Sequence, residues 1–185
     1  FQYNIWDRIS CFRGVENLLL DLAVRPEFMH RTARKFMEIG AATFRQYVEL
    51  GLLNTNPLLL HCTPACAREL PAGDFDGTPR PEDAWGRCSA QIFAAVSPAM
   101  HDEFDLEYNQ EIFGSCGLLY YGCCEPLDTK IDILRQRFTN LRKASITPWA
   151  DPEIAARSMG SDYVMSAKPN PAFVAGPTFE PEPVQ

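Results

Sequence analysis

Four short apolar segments recur at a regular interval in the second half of the chain and constrain the fold more than any other feature. With Ile92, Leu119, Ala144 and Val164 as midpoints, the segments are 27, 25 and 20 residues apart, and helix-forming sequence fills the intervals. Buried strands that alternate with helices at this interval are typical of βα units and a parallel sheet. We therefore predict an α/β fold with parallel strands, as an open sheet or as a barrel.

Helix start and stop signals place the helices between these segments. Ser97 before Pro98 is typical of a helix N-terminus, and so is Asp151 before Pro152. Gly160 is a plausible end of the later helix. Helices are predicted over residues 16–23, 26–51, 98–113, 127–137 and 152–159.

A proline-rich segment, residues 54–87, separates the helical first part from the βα units. It contains five prolines and the turn signal Asp74-Phe75-Asp76-Gly77, and only residues 58–62 could form a short strand. Loops this long are usually functional, so we interpret it as an insertion or covering loop. We treat residues 1–185 as one domain, with an extended tail at 177–185.

Composition excludes several classes of protein. The chain has 17 basic and 24 acidic residues, a net charge of −7, which argues against a broad nucleic-acid-binding face. No apolar run approaches the ~18 residues of a membrane span. Seven cysteines, an odd number, without a visible signal peptide favour reduced thiols in a cytoplasmic protein. The chain begins with Phe1 and not with Met, as a processed product or a fragment would.

The carboxyl ends of parallel strands form the functional edge of both open sheets and barrels. Each predicted strand breaks there into polar or proline-fixed sequence, at residues 97–98, 123–126, 147–149 and 166–171. We therefore expect substrate contacts at this edge. The candidates are Tyr121, Trp149, Ser166, Lys168 and Asn170.

The second of these breaks carries the richest chemistry. A thiol at a strand end beside a helix start, such as Cys123 or Cys124, can have a lowered pKa, and a thiolate is a nucleophile and a soft metal ligand. Glu125 could accept a proton or bind a metal. His101, in the first turn of its helix, could act as an acid, a base or a ligand. Packing cysteines, a helix-capping Glu125 and a core His101 are the structural alternatives.

A second candidate metal site lies in the proline-rich segment. His61, Cys62 and Cys66 have spacings seen in zinc sites, where cysteine pairs stand two to four residues apart with a histidine nearby. No second clear pair exists, although Cys88 could contribute. Thiols on a surface loop are the alternative interpretation.

Several of these segments together resemble the uroporphyrinogen decarboxylase superfamily, over about residues 12–52 and 82–176. The matching stretches are Ala90-Gln91-Ile92-Phe93, Ser97-Pro98, His101-Asp102-Glu103-Phe104, Tyr108, Gly14-Val15-Glu16-Asn17-Leu18-Leu19, Pro26-Glu27 and Ser166-Ala167-Lys168-Pro169-Asn170-Pro171. The superfamily contains porphyrinogen decarboxylases and corrinoid-dependent methyltransferases, all (β/α)8 barrels. The resemblance implies a partial barrel that lacks the N-terminal half and the final strand.

The resemblance also implies a cofactor and its ligands. In the zinc methyltransferases, Cys124 would match a ligand cysteine, Gly122 stands where that branch has a histidine, and the last ligand would fall after Gln185. The expected cofactors are zinc, held by Cys124 and Glu125, and a corrinoid on a partner protein. The ligand would be a small molecule or a tetrapyrrole. The remainder of the barrel or a homo-oligomer would complete the sheet.

Three functions follow as hypotheses. The first is methyl transfer involving a corrinoid and a metal-activated thiol, with Cys124, Glu125 and His101 as catalytic residues. The second is decarboxylation of a porphyrinogen-like tetrapyrrole, which needs cations around the carboxylates; Lys168 is the only cation that the sequence places at a strand end. The third is a binding or assembly module without activity, whose open sheet edges pair with another chain.

Overall fold

A parallel sheet forms the centre of the computed structural model, which describes residues 1–173 and 175–178; most of the tail 177–185 lies outside the described residues. The strands are β1 (Leu59–Leu60), β2 (Thr63–Pro64), β3 (Trp85–Cys88), β4 (Leu118–Tyr121), β5 (Leu141–Ile146) and β6 (Val164–Ala167). In the described part, the central sheet has four strands in the order β3-β4-β5-β6, with every neighbouring pair parallel, as the spacing predicted. Helices flank this sheet, so the fold is α/β.

Seven α-helices are present among the described residues. They are α1 (Ile5–Arg13), α2 (Val15–Val24), α3 (Pro26–Glu49), α4 (Pro98–His101), α5 (Glu107–Phe113), α6 (Ile131–Arg137) and α7 (Pro152–Met159). A π-helical turn, Asp102–Leu106, joins α4 to α5. The Ser97 hydroxyl caps α4, the Asp151 carboxylate caps α7, and Gly160 ends α7, which confirms the predicted helix boundaries.

The first strand lies earlier than the apolar pattern predicted. Residues 90–96 were expected to form it, but Gln91–Ala95 is a 3-10 helix and the strand is Trp85–Cys88. A short apolar run does not distinguish a strand from a buried helical turn. The true strand has the sequence Trp-Gly-Arg-Cys, which lacks an aliphatic run, and all of it except Cys88 falls inside the segment 54–87 that was interpreted as a loop.

Two further differences concern the helices. Helix α1 was not predicted, and α6 begins at Ile131 and not near Leu127.

Before α1, the extended segment Phe1–Tyr3 runs parallel to β3: Arg87 N donates to Phe1 O at 2.9 Å and Tyr3 N donates to Arg87 O at 3.2 Å. This segment therefore extends the sheet beyond β3.

The two faces of the sheet have different characters because alternate side chains point to opposite sides. One face, including Leu119, Tyr121 and Ile146, packs against the helices in the main apolar core. The other, which we call the polar face, carries Arg87, Tyr120, Lys143, Ser145 and Ser166 on aligned strand positions.

The β1–β2 hairpin, residues 58–66, covers the polar face. The two strands pair antiparallel, and the Trp85 indole N–H donates to Ala65 O at 2.8 Å. A small second core of Ala65, Leu70, Trp85 and Tyr120 lies beneath the segment. Among the residues described, no helix combines the length and the hydrophobicity that crossing a membrane requires.

Candidate functional site

The tip of the hairpin lies at the carboxyl end of the sheet. Leu60 pairs with Thr63, so His61 and Cys62 form the turn between them. Lys168, just after β6, donates to Cys62 O at 3.2 Å, and Ser166 Oγ donates to Thr63 Oγ1 at 3.0 Å. These bonds bring a loop from the first half of the chain onto the strand ends of the second half.

His61 has a strained backbone at this tip. Its φ is 58°, in the left-handed region that residues other than glycine seldom occupy, at a cost of about 1–3 kcal/mol. Such strain persists only where the surrounding structure holds the residue in place, and it concentrates at functional sites. The strained turn presents the imidazole next to the strand ends.

The side chains of His61, Cys62 and Cys123 form one group, which we call the His-Cys-Cys cluster. One ligand atom from each residue lies within 4.8 Å of the other two. His61 and Cys62 are exposed, whereas Cys123 is buried. The cluster joins the hairpin to the carboxyl end of β4, the position that sites occupy in parallel sheets.

The donor set of the cluster fits zinc. Zinc binds thiolate sulfur at about 2.3 Å and imidazole nitrogen at about 2.0–2.1 Å in a tetrahedron, so bound ligand atoms lie closer together than 4.8 Å. Because His61 and Cys62 are exposed side chains on a turn, small rotations can close this gap. Three protein ligands with an open fourth position are typical of a catalytic zinc site and not of a structural one.

The structure places the sulfur of Cys123, and not that of Cys124, in the cluster. The resemblance had implied Cys124 as the ligand, which the structure corrects: β4 ends at Tyr121, and Gly122 then adopts a φ of 97°, which breaks the strand alternation before Cys123. Cys124 is exposed, with its sulfur 3.5 Å from that of Cys123. Burial, and then the contact with Cys124, raises the pKa of Cys123 to about 12.

Glu125, the predicted partner of Cys124, faces the interior. Its two carboxylate oxygens accept the N–H of Ala90 at 3.0 Å and the N–H of Cys123 at 2.9 Å, and the side chain is fully buried. Burial raises the pKa of this carboxyl. Glu125 therefore ties the ends of β3 and β4 together and fixes the backbone of Cys123, outside the His-Cys-Cys cluster.

His101 and Tyr121 lie on the helix-covered side of the sheet. His101 Nε2 is 2.6 Å from Tyr121 Oη, which donates to the Asp105 carboxylate, and all three side chains are fully buried. The π-helical turn places Asp105 in this contact. Burial, with Asp105 as the next cause, raises the pKa of Tyr121. The structure thus separates these two candidates from the cluster by the thickness of the sheet.

The remaining predicted contacts divide into two groups. Ser166 and Lys168 lie on the polar face beside the hairpin tip. Asn170 instead accepts the N–H of Ala172 in a turn, and Trp149 is 66% exposed after β5. Cys66 and Cys88 lie outside the cluster, so the expected Cys62–Cys66 pair is replaced by Cys62 and Cys123.

Two cations on the polar face are not predicted from the sequence. Lys168 is the only cation predicted at a strand end, but Arg87 and Lys143 share its face, in register with Tyr120. Arg87 was missed because β3 was misplaced. Lys143 could have been predicted, because it lies two residues before Ser145 and therefore on the same face of the predicted strand.

Comparisons with protein-family models, with curated proteins and with solved structures found no match. The class of protein is therefore given by the fold and the site alone. This is an α/β protein with a parallel sheet, whose carboxyl edge carries a candidate imidazole–thiol metal site beside three cations.

Proposed function

We propose that this chain is part of a (β/α)8-barrel enzyme that transfers a methyl group with the help of a metal-activated thiol. The observation that carries the proposal is the His-Cys-Cys cluster at the carboxyl end of β4. The resemblance to the methyltransferases of the uroporphyrinogen decarboxylase superfamily supports the reaction class. The methyl donor would be a corrinoid carried by a partner protein, and the acceptor a substrate thiol.

Each residue of the cluster has a separate task. Cys123 supplies a ligand that is held in place, since its backbone N–H is bound to the buried carboxylate of Glu125. His61 and Cys62 supply ligands from the hairpin, whose position depends on the Lys168 bond to Cys62 O. The exposed side of the cluster leaves a direction from which a substrate thiol can approach.

Zinc bound here would lower the pKa of a coordinated thiol and so supply a nucleophilic thiolate at neutral pH. The acceptor thiol would lose its proton to solvent, and its sulfur would form a bond to the methyl carbon. The donor would leave with the electron pair of the bond that breaks. Tyr120, whose hydroxyl lies 3.7 Å from Cys62 Sγ, would orient the ligand sulfur.

Metal uptake by the purified chain tests the cluster directly. Metal-free protein is incubated with Zn²⁺, dialysed, and analysed by inductively coupled plasma mass spectrometry. We expect one zinc per chain, lost in Cys62→Ser and Cys123→Ser and retained in Cys11→Ser, whose thiol lies on α1. Cobalt substitution adds a second measurement, because thiolate ligands give an intense sulfur-to-cobalt charge-transfer band.

Turnover separates methyl transfer from the other two hypotheses. Zinc-loaded protein is mixed with methylcobalamin and a panel of small thiols, and demethylation of the corrinoid is followed by absorbance. A zinc-dependent rate that Cys123→Ser abolishes supports the proposal. Zinc uptake equal in Cys123→Ser and in the unmodified chain would overturn it, and would favour a decarboxylase or a binding module.

A further inference from the structure

Three cations share the polar face, and among the described residues none of them has a carboxylate partner. Arg87 on β3, Lys143 on β5 and Lys168 after β6 all lie beneath or beside the hairpin. Within residues 1–173 and 175–178, none of them lies within 4 Å of an Asp or Glu oxygen, whereas the neighbouring Arg142 pairs with Glu69 at 3.1 Å. This is unexpected in a chain with 24 acidic residues and a net charge of −7.

Neutral oxygen atoms accept their hydrogen bonds instead. Arg87 donates to the side-chain oxygen of Asn4 at 3.1 Å and to Gly122 O at 3.3 Å. Lys143 donates to Thr63 Oγ1 at 3.3 Å and to Pro64 O. Lys168 donates to Cys62 O and, at 2.7 Å, to Ser166 Oγ. Each ammonium group has three N–H donors, so both lysines keep one for a ligand.

The burial of these charges destabilises the folded protein. Arg87 is fully buried, its Nε has no acceptor in the part of the chain that the structure describes, and Lys143 is 9% exposed. Buried charges in proteins are normally paired, because an uncompensated charge in a low-dielectric interior is strongly destabilising. Burial first, and then repulsion from Lys168, lowers the pKa of Lys143. An anion bound at this face would offset the buried charge of Arg87 and the repulsion between Lys143 and Lys168.

We propose that the polar face binds an oxyanion group, a carboxylate or a phosphate, of a small-molecule ligand, with Lys168 and Lys143 as the direct contacts. Lys168 is the accessible one, since it is partly exposed and borders the hairpin tip. Arg87 is buried, so it would attract the anion through its charge without touching it. The inference deepens the proposed function: the anionic group would belong to the substrate whose thiol reaches the His-Cys-Cys cluster, which Lys168 adjoins through Cys62.

Calorimetric titration of the full chain at low ionic strength tests the site, with acetate and inorganic phosphate as separate probes. We expect saturable binding of one probe per chain, weakened at least tenfold in Lys168→Met. Lys35→Met removes an exposed lysine on α3 and is expected to leave the affinity unchanged. Lys168→Arg keeps the charge and is expected to restore most of the binding, which separates the loss of charge from a misfolded hairpin.

The two probes also identify the source of the oxyanion. Tighter binding of acetate indicates a carboxylated ligand, and tighter binding of phosphate indicates a phosphorylated one. Equal affinities in Lys168→Met and Lys35→Met, or a heat that follows ionic strength without saturating, would overturn the proposal. Repeating the titration with metal-free Cys123→Ser keeps the two ideas apart, because the oxyanion site should survive there even if zinc uptake and methyl transfer fail.

Discussion

The indole of Trp85 donates a hydrogen bond to the backbone carbonyl of Ala65 at 2.8 Å, and both residues are almost fully buried. This hydrogen bond links β3 to the hairpin that carries His61 and Cys62. The hairpin strands themselves are only two residues each, too short to be stable alone. The geometry of the site therefore depends on anchors such as this one.

Trp85→Phe is expected to destabilise the protein by about 1–3 kcal/mol, because it leaves the buried Ala65 carbonyl without its donor. Urea denaturation measures the free energy of unfolding. Trp149→Phe is the matched control, since Trp149 is 66% exposed, and it should change stability by less than about 0.5 kcal/mol. Equal effects of the two substitutions would contradict the anchoring role.

Glu125→Gln is expected to destabilise the protein by about 1–3 kcal/mol, because an amide offers one acceptor oxygen where two buried N–H groups need one each. The exposed Glu153→Gln on α7 is the control and should be nearly neutral. Zinc affinity should fall in Glu125→Gln as well, since the backbone of Cys123 loses its fixed position. A stable variant with unchanged zinc affinity would show that Glu125 does not position Cys123.

His61→Gly separates metal binding from folding. Glycine adopts the observed φ of 58° without strain, so the substitution should leave the free energy of unfolding of the metal-free chain unchanged or raise it by up to about 1 kcal/mol. Zinc affinity, measured by competition with a chromogenic chelator, should fall at least tenfold. His30→Ala on α3 should retain the affinity. Unimpaired zinc binding by His61→Gly would remove His61 from the ligand set.

Gly117→Ala tests the approach of the covering segment to the sheet. A Cβ at this position would lie 2.1 Å from the backbone oxygen of Glu82, so the contact cannot be relieved by rotating a side chain. We expect the free energy of unfolding to fall by about 1–3 kcal/mol. Gly73→Ala, where nothing lies within 4 Å, should be tolerated. Thermal melts compare the stability of the two variants with that of the unmodified chain, and equal stability of Gly117→Ala and Gly73→Ala would contradict this close approach.

Asp83 should make the stability of this segment sensitive to acid. Its buried carboxylate accepts bonds from the Arg80 side chain and from two backbone N–H groups, and the Arg80 bond is the main cause that lowers its pKa below the ordinary 3.8. A lowered pKa means that its stabilisation is present above about pH 4 and is lost as the pH falls through the folded-state value.

Asp83→Asn is therefore expected to be less stable than the unmodified chain at neutral pH, with a difference that narrows below about pH 4. Urea denaturation at a series of pH values follows the two curves. The exposed Asp162→Asn should parallel the unmodified chain throughout. A difference between Asp83→Asn and the unmodified chain that stays constant down to pH 2 would contradict the assignment.

The parallel α/β architecture and the helix boundaries at Ser97, Asp151 and Gly160 could be predicted from the amino-acid sequence alone. These features are local: apolar spacing, capping side chains and proline positions act within a few residues, so they can be read along the chain. Ser166 and Lys168 could also be predicted as site residues, because Ser166 lies near the carboxyl end of β6 and Lys168 follows that strand directly.

Which side chains come into contact depends on how distant segments of the chain pack together. His61 and Cys62 reach Cys123 because the hairpin folds back over the polar face, and the left-handed Gly122 turns Cys123 toward them in place of Cys124. Arg87 joins Lys143 and Lys168 on the polar face because β3 lies at residues 85–88, a position that the apolar pattern does not predict. Such contacts join distant parts of the chain through packing and one backbone torsion, and neither leaves a periodic signal in the sequence.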